Sequence, residues 1–140
     1  MIDTRTAPYA ALLLRLSLGI MFVAHASLKI FVFTPAGTVA FFAKLGLPAE
    51  LAYLTMFGEL LGGIALILGV WTRAVSVLLI PFLAGAIVTV HNTAWMFAAP
   101  GGGWEFPAFW IAALVVQALL GDGAYALRVP YLTRRQQMAY

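Results

Sequence analysis

Four long apolar stretches separated by short polar breaks set the pattern of this chain, at about 9–33, 50–70, 74–97 and 105–120. Each approaches the roughly 20 residues that carry a helix across about 30 Å of hydrocarbon, the fourth being the shortest. In lipid every backbone N–H and C=O must pair within the protein, so the stretches predict helices rather than open strands. The breaks carry stop and start signals. Thr34 and Pro35 can cap and open a short helix ending near Gly46, whose Val39, Phe41, Phe42 and Leu45 with the single charge Lys44 suit a membrane interface. Pro48 precedes the second span, Trp71-Thr72-Arg73 makes a tight turn into the third, Pro100-Gly101-Gly102-Gly103 is a loop, and Gly121-Asp122-Gly123 ends the fourth. The prediction is an all-α integral membrane four-helix bundle with a short interfacial helix between the first and second spans. It forms one domain over 1–140, with 121–140 as a cytoplasmic tail.

Composition agrees with this pattern. Of 140 residues, 64% are hydrophobic and 9% charged, against about 25% charged in a soluble domain. With no cysteine there is no disulfide, thiolate nucleophile or Cys-held cluster. The net charge of +3 reads as loop asymmetry and not as a nucleic-acid signal. Arg5, Arg73, Arg128, Arg134 and Arg135 fall in the N-terminal segment, the second connection and the tail, whereas the third connection has no Lys or Arg. The positive-inside rule then places both termini in the cytoplasm, with Trp71 at the inner interface and Trp95 and Trp104 at the outer one. Ala24-His25-Ala26 has the small-x-small form of a signal-peptide cleavage site. Arg15 interrupts that apolar region and the pattern continues past His25, so an uncleaved first span is expected.

Ionisable residues inside these stretches change the picture most. A charge in hydrocarbon costs at least about 2.5 kcal/mol and usually faces a bundle interior. Arg15, His25 and Lys29 share one face of the first helix, since at 100° per residue His25 lies about 80° and Lys29 about 40° from Arg15. His25 sits roughly 7–8 Å below the outer boundary and Glu59 roughly 12 Å, at about 1.5 Å of rise per residue. Helical side chains lean toward their own N-terminus, so Glu59 leans outward and His25 inward, and the two converge. Glu59 at that depth is either protonated or paired, with His25 or Lys29 as first partner and Arg15 next. His91 and Glu105 lie near the outer helix ends and complete a polar cluster in the outer half. Local explanations exist beside this one: His91 next to Asn92 suits a helix end, Glu105 suits a first turn, and Lys29 and Arg15 have stems long enough to snorkel. Gly58 and Gly62 form a small-xxx-small pair for close helix approach, Gly19 offers the same, and Pro81 is expected to kink the third helix.

Several stretches together resemble the DoxX family of membrane proteins: Leu14-Arg15-Leu16-Ser17-Leu18-Gly19 with His25-Ala26-Ser27-Leu28-Lys29, Glu59-Leu60-Leu61-Gly62-Gly63, Gly69-Val70-Trp71-Thr72-Arg73, and Gly101-Gly102-Gly103-Trp104-Glu105-Phe106-Pro107. The Phe41–Pro48 stretch also fits, and the resemblance spans about 9–122. Ala26 stands where the family often has Gly. The resemblance implies a four-helix bacterial inner-membrane protein, described in the family as an oxidoreductase or quinone-linked subunit, associated with redox stress and working with soluble redox enzymes.

Three readings of the cluster remain open at this level. In the first, a quinone enters from the bilayer; His25, Lys29, Glu59 and His91 donate or relay protons, and Trp95, Phe97, Trp104 and Phe106 form an apolar wall. Nothing in the chain carries electrons by itself, so such a subunit borrows them from a partner. A sharper version makes His25 and His91 axial ligands of a b-type haem, with Lys29 beside a propionate. In the second, the bundle binds or transports a small molecule, and transport by so few helices requires a homo-oligomer. In the third it is a structural assembly subunit.

Overall fold

A computed structural model describes residues 3–127. The tail residues Arg128, Arg134 and Arg135, used above for orientation, lie outside the described residues. Five α-helices follow one another: α1 (Ala7–Ser27), α2 (Pro35–Lys44), α3 (Ala49–Leu68), α4 (Thr72–Thr89) and α5 (Glu105–Leu120), with no strand among the described residues. α1 continues into a π-helical turn, Leu28–Val32, so that Ala7–Val32 is a single apolar rod of 26 residues. This rod, α3 with 20 residues and α4 with 18 are each long and apolar enough to cross a membrane, and α5 is a shorter apolar helix.

Local chemistry explains most boundaries. The Thr34 hydroxyl accepts a hydrogen bond from the Gly37 N–H at 3.2 Å, and Pro35 occupies the first turn of α2, where its missing N–H costs nothing. In the π turn the Phe33 N–H reaches back five residues to the Leu28 carbonyl. The Lys29 carbonyl accepts from the Thr38 hydroxyl at 2.9 Å, which ties α2 to the end of the first rod. α3 ends on Gly69 in the left-handed region at φ 73°. The turn therefore falls at Gly69–Trp71, and Thr72 already belongs to α4. Pro81 lies within α4 without ending it.

The third apolar stretch differs from its prediction. It is helical only to Thr89, and 90–104 forms an irregular connection. The Thr89 hydroxyl and the Asn92 side-chain N–H turn back onto the Gly85 and Val88 carbonyls at 2.8 Å each, and the Val88 carbonyl is an acceptor that a longer helix would have used. Trp104 and Glu105 then close the connection through backbone bonds to the Ala94 and Trp95 carbonyls.

α1 packs mainly on α3, and α4 on α5. The α1–α3 approach is made at Gly19 and Gly63, where a Cβ on either would meet the other's carbonyl oxygen at 2.7–2.8 Å. Gly58 and Gly62, expected to admit a neighbouring backbone, instead accommodate the Phe82 and Leu79 side chains of α4. Leu18, Phe22, Leu66, Leu79 and Leu114 form the buried middle of the bundle. Residues 121–127 fold back across one end: the Ala124 N–H bonds the Pro8 carbonyl at 2.9 Å and the Leu127 N–H the Leu68 carbonyl at 3.0 Å.

Candidate functional site

The polar cluster takes its position from two helices that run in opposite directions. Lys29, in the π turn, and Glu59, ten residues into α3, meet at 2.6 Å between Nζ and Oε2. Glu59 is buried and Lys29 is partly so. Each charge compensates the other in a place where either alone would be costly. His25, one turn before Lys29, donates from Nδ1 to the Met21 carbonyl at 2.9 Å. A backbone carbonyl only accepts, so this bond puts the proton on Nδ1 and leaves Nε2 as an acceptor. The His25 ring stands edge-on to Trp110, with centroids 4.9 Å apart.

These groups line one end of a cavity of about 520 Å³, within the usual range for small-molecule sites. Its walls are apolar. α2 contributes Phe41, Phe42 and Leu45; α4 contributes Leu78, Phe82 and Leu83; Phe106 and Trp110 come from α5. Leu51 and Leu54 of α3 and Leu78 of α4 line the cavity while remaining exposed on the outer surface of the molecule. Exposed apolar side chains of α3 and α4 thus border the cavity. His91, just past the end of α4, also lines the cavity and donates from Nδ1 to the Gly101 carbonyl at 3.2 Å. Below the cavity the buried layer of Phe22, Leu66, Leu79 and Leu114 separates it from the other end of the bundle.

Of the residues singled out from the sequence, His25, Lys29, Glu59, His91, Phe97 and Phe106 all border this cavity. Four others do not. Glu105 accepts from the Phe97 N–H at 2.8 Å and anchors the irregular connection. Trp95 and Trp104 stack edge-on at 4.3 Å on the outer surface of that connection. Arg15 is 1% exposed at the opposite end, neither paired with Glu59 nor reaching out of the bundle. Its Nη2 donates to the Ala124 carbonyl at 3.2 Å, and its guanidinium fills the space where a side chain on Gly69 would stand. Trp110 and the aromatic pair on α2 are wall residues that sequence reasoning missed. The available signal for Trp110 was its position one turn after Phe106; the two rings lie 5.7 Å apart.

His25 and His91 each keep a free Nε2, but the Lys29 ammonium expected beside a propionate is held by Glu59. Among the described residues no group of three or more His, Asp or Glu side chains is placed to hold a metal ion.

Comparison with known proteins locates the chain. A sequence model described as DoxX matches residues 10–92. Over 116 residues the chain is 37% identical to a Bacillus subtilis (strain 168) protein named "Putative oxidoreductase CatD", covering 83% of this chain and 82% of that one. No solved structure matches it.

Proposed function

This chain belongs to the DoxX family of membrane proteins, and on that premise we propose that it is a quinone-binding subunit. It takes a quinone-type ring from the bilayer and receives electrons from a soluble redox partner. The observation that carries this reading is the cavity itself: an apolar slot bordered by exposed hydrophobic side chains, with His25 and a compensated Lys29–Glu59 pair in its wall. A lipid-soluble ring needs a lateral entrance, flat apolar walls and a few groups that handle protons at its oxygens. Phe82, Phe106 and Trp110 are the walls; Lys29, Glu59 and His25 are the proton-handling groups. The oxidoreductase name carried by the Bacillus relative supports redox chemistry of this kind. The buried apolar layer beneath the cavity supports binding over passage across the membrane.

The same reading assigns the topology. The first rod, α3, α4 and α5 cross the bilayer of a bacterial inner membrane, α2 lies in the outer interface, and both termini are cytoplasmic. The exposed Trp71 at one end of the bundle and Trp95 and Trp104 at the other support this assignment as interfacial belts.

Titration of the purified protein in lipid nanodiscs with a short-tailed ubiquinone or menaquinone analogue tests the proposal. Saturable binding is expected, weakened roughly tenfold or more by Glu59→Gln, which releases Lys29 from its partner. Equal affinity in wild type and variant would remove Glu59 from the site.

A further inference from the structure

Resting on the ring-binding reading above, the inventory of donors and acceptors around the cavity indicates which form of the ring it takes. We infer that the cavity binds the reduced, dihydroxy form of its ring ligand in preference to the oxidised dione.

Both histidines are fixed in the same sense. His25 donates Nδ1–H to the Met21 carbonyl and His91 donates Nδ1–H to the Gly101 carbonyl. Each therefore keeps an Nε2 lone pair and no second proton in its neutral form. The two threonines that line the cavity are arranged likewise. Thr55 donates its hydroxyl to the Leu51 carbonyl at 2.7 Å, and Thr89 to the Gly85 carbonyl at 2.8 Å. Their protons are committed to their own helices, and only oxygen lone pairs remain. Glu59 gives one carboxylate oxygen to Lys29 and keeps the other as an acceptor.

Donors are scarce by comparison. Trp110 lines the cavity, but its indole nitrogen is buried and has no partner. Apart from that buried indole, Lys29 is the single side chain lining the cavity with N–H groups left to donate, and it sits at one end against Glu59. A dione presents two acceptor oxygens at opposite ends of its ring and can be met by a donor at one of them. A diol presents a hydroxyl donor at each end, and acceptors line the cavity from three helices: His25 from α1, Glu59 from α3, and Thr89 and His91 from the end of α4. A site whose polar groups match a ligand's hydroxyls discriminates against the analogue that lacks them, because its acceptors are then left desolvated and unpaired.

The test compares three probes on the wild-type protein in nanodiscs under anaerobic conditions: a short-tailed hydroquinone, the corresponding quinone, and the di-O-methyl ether of the hydroquinone. The hydroquinone is expected to bind roughly tenfold or more tightly than either of the others. Quinone binding as tight as hydroquinone binding overturns the inference while leaving the ring-binding reading in place. So does an ether that binds like the hydroquinone, since the ether keeps the shape and loses the donors. In the His25→Phe, His91→Phe double variant the hydroquinone-to-quinone affinity ratio is expected to fall toward one; a ratio that stays at its wild-type value refutes the role given to the imidazoles. Failure of all three probes to bind wild-type protein sinks the ring-binding reading itself, and this inference with it.

Discussion

At the scale of single residues, the cost of an unpaired charge explains both what could be read from the sequence and what could not. Glu59 stood out because its depth demands a partner, which the sequence left between His25 and Lys29, the helix lean favouring His25; the structure pairs it with Lys29 at 2.6 Å. The two halves of the pair are not equivalent. The Glu59 side chain is 8% exposed, whereas that of Lys29 is 22% exposed. Lys29→Met should therefore destabilise the protein more than Glu59→Gln, by about 2 kcal/mol against about 1. The double variant should lose less than the sum of the two. Equilibrium unfolding in mixed micelles, run as a double-mutant cycle, measures the difference, and strict additivity would show that the pair contributes nothing. Arg15 obeys the same cost, but its partner is a backbone carbonyl, Ala124, 109 positions away along the chain. No side-chain pattern announces a carbonyl acceptor, so the sequence offered only Glu59 or the interface. Trp110 was hidden for a related reason: in an apolar run a tryptophan that lines a cavity looks the same as one that faces lipid.

At the scale of elements, hydropathy reports what is apolar and leaves conformation to local chemistry. Residues 94–99 (Ala-Trp-Met-Phe-Ala-Ala) are apolar enough to extend the third span, yet they form part of an irregular connection held by Glu105. α2 was legible because Thr34 and Pro35 are a strong start signal. Glycine spacing likewise marks small positions without saying which of them faces a backbone. Gly58 and Gly62 satisfied the spacing rule, while the close contact belongs to Gly19 and Gly63. Either Gly19→Ala or Gly63→Ala should thus cost about 1–3 kcal/mol by forcing α1 and α3 apart. Gly85→Ala, whose added methyl meets nothing within 4 Å, should be neutral or slightly stabilising. Thermal unfolding of the three variants in one detergent distinguishes them. The segment 121–127 yields a second prediction at this scale. Arg15→Met removes its hydrogen bond to Ala124, so amide exchange over 121–127 should accelerate. Ligand binding at the cavity should be unaffected, because the buried leucine and phenylalanine layer lies between. A change in ligand affinity in this variant would mean that the two ends of the bundle communicate.

At the scale of the whole molecule, the parity of the crossings is the property on which orientation and access to the cavity depend. Three rods meet the length of a bilayer, and α5, at 16 residues, spans about 24 Å as a helix. That is less than the roughly 30 Å hydrocarbon core, a deficit that local thinning can absorb at modest cost. A constraint independent of length comes from the end of the chain. The Ala124 N–H is bonded to the Pro8 carbonyl, and the Tyr125 ring lies 6.4 Å from that of Tyr9. The residue that follows α5 and the residue that opens α1 therefore share one side of the bilayer, whichever side it is. With the first rod, α3 and α4 crossing, that closure requires α5 to cross as well. Under the proposed topology Arg5 and Arg73 lie at the closed end and Lys44 at the other, the balance that the positive-inside rule expects of a closed end in the cytoplasm and a cavity toward the outer leaflet. Because the chain has no cysteine, single introduced thiols report topology cleanly. In intact cells an impermeant maleimide should label Glu50→Cys and Ala98→Cys, and should label Thr4→Cys and Asp122→Cys only after permeabilisation. Labelling of Ala98→Cys and Asp122→Cys from the same side would mean that α5 does not cross. Labelling of Thr4→Cys and Asp122→Cys from opposite sides would break the closure between Pro8 and Ala124 on which the parity rests.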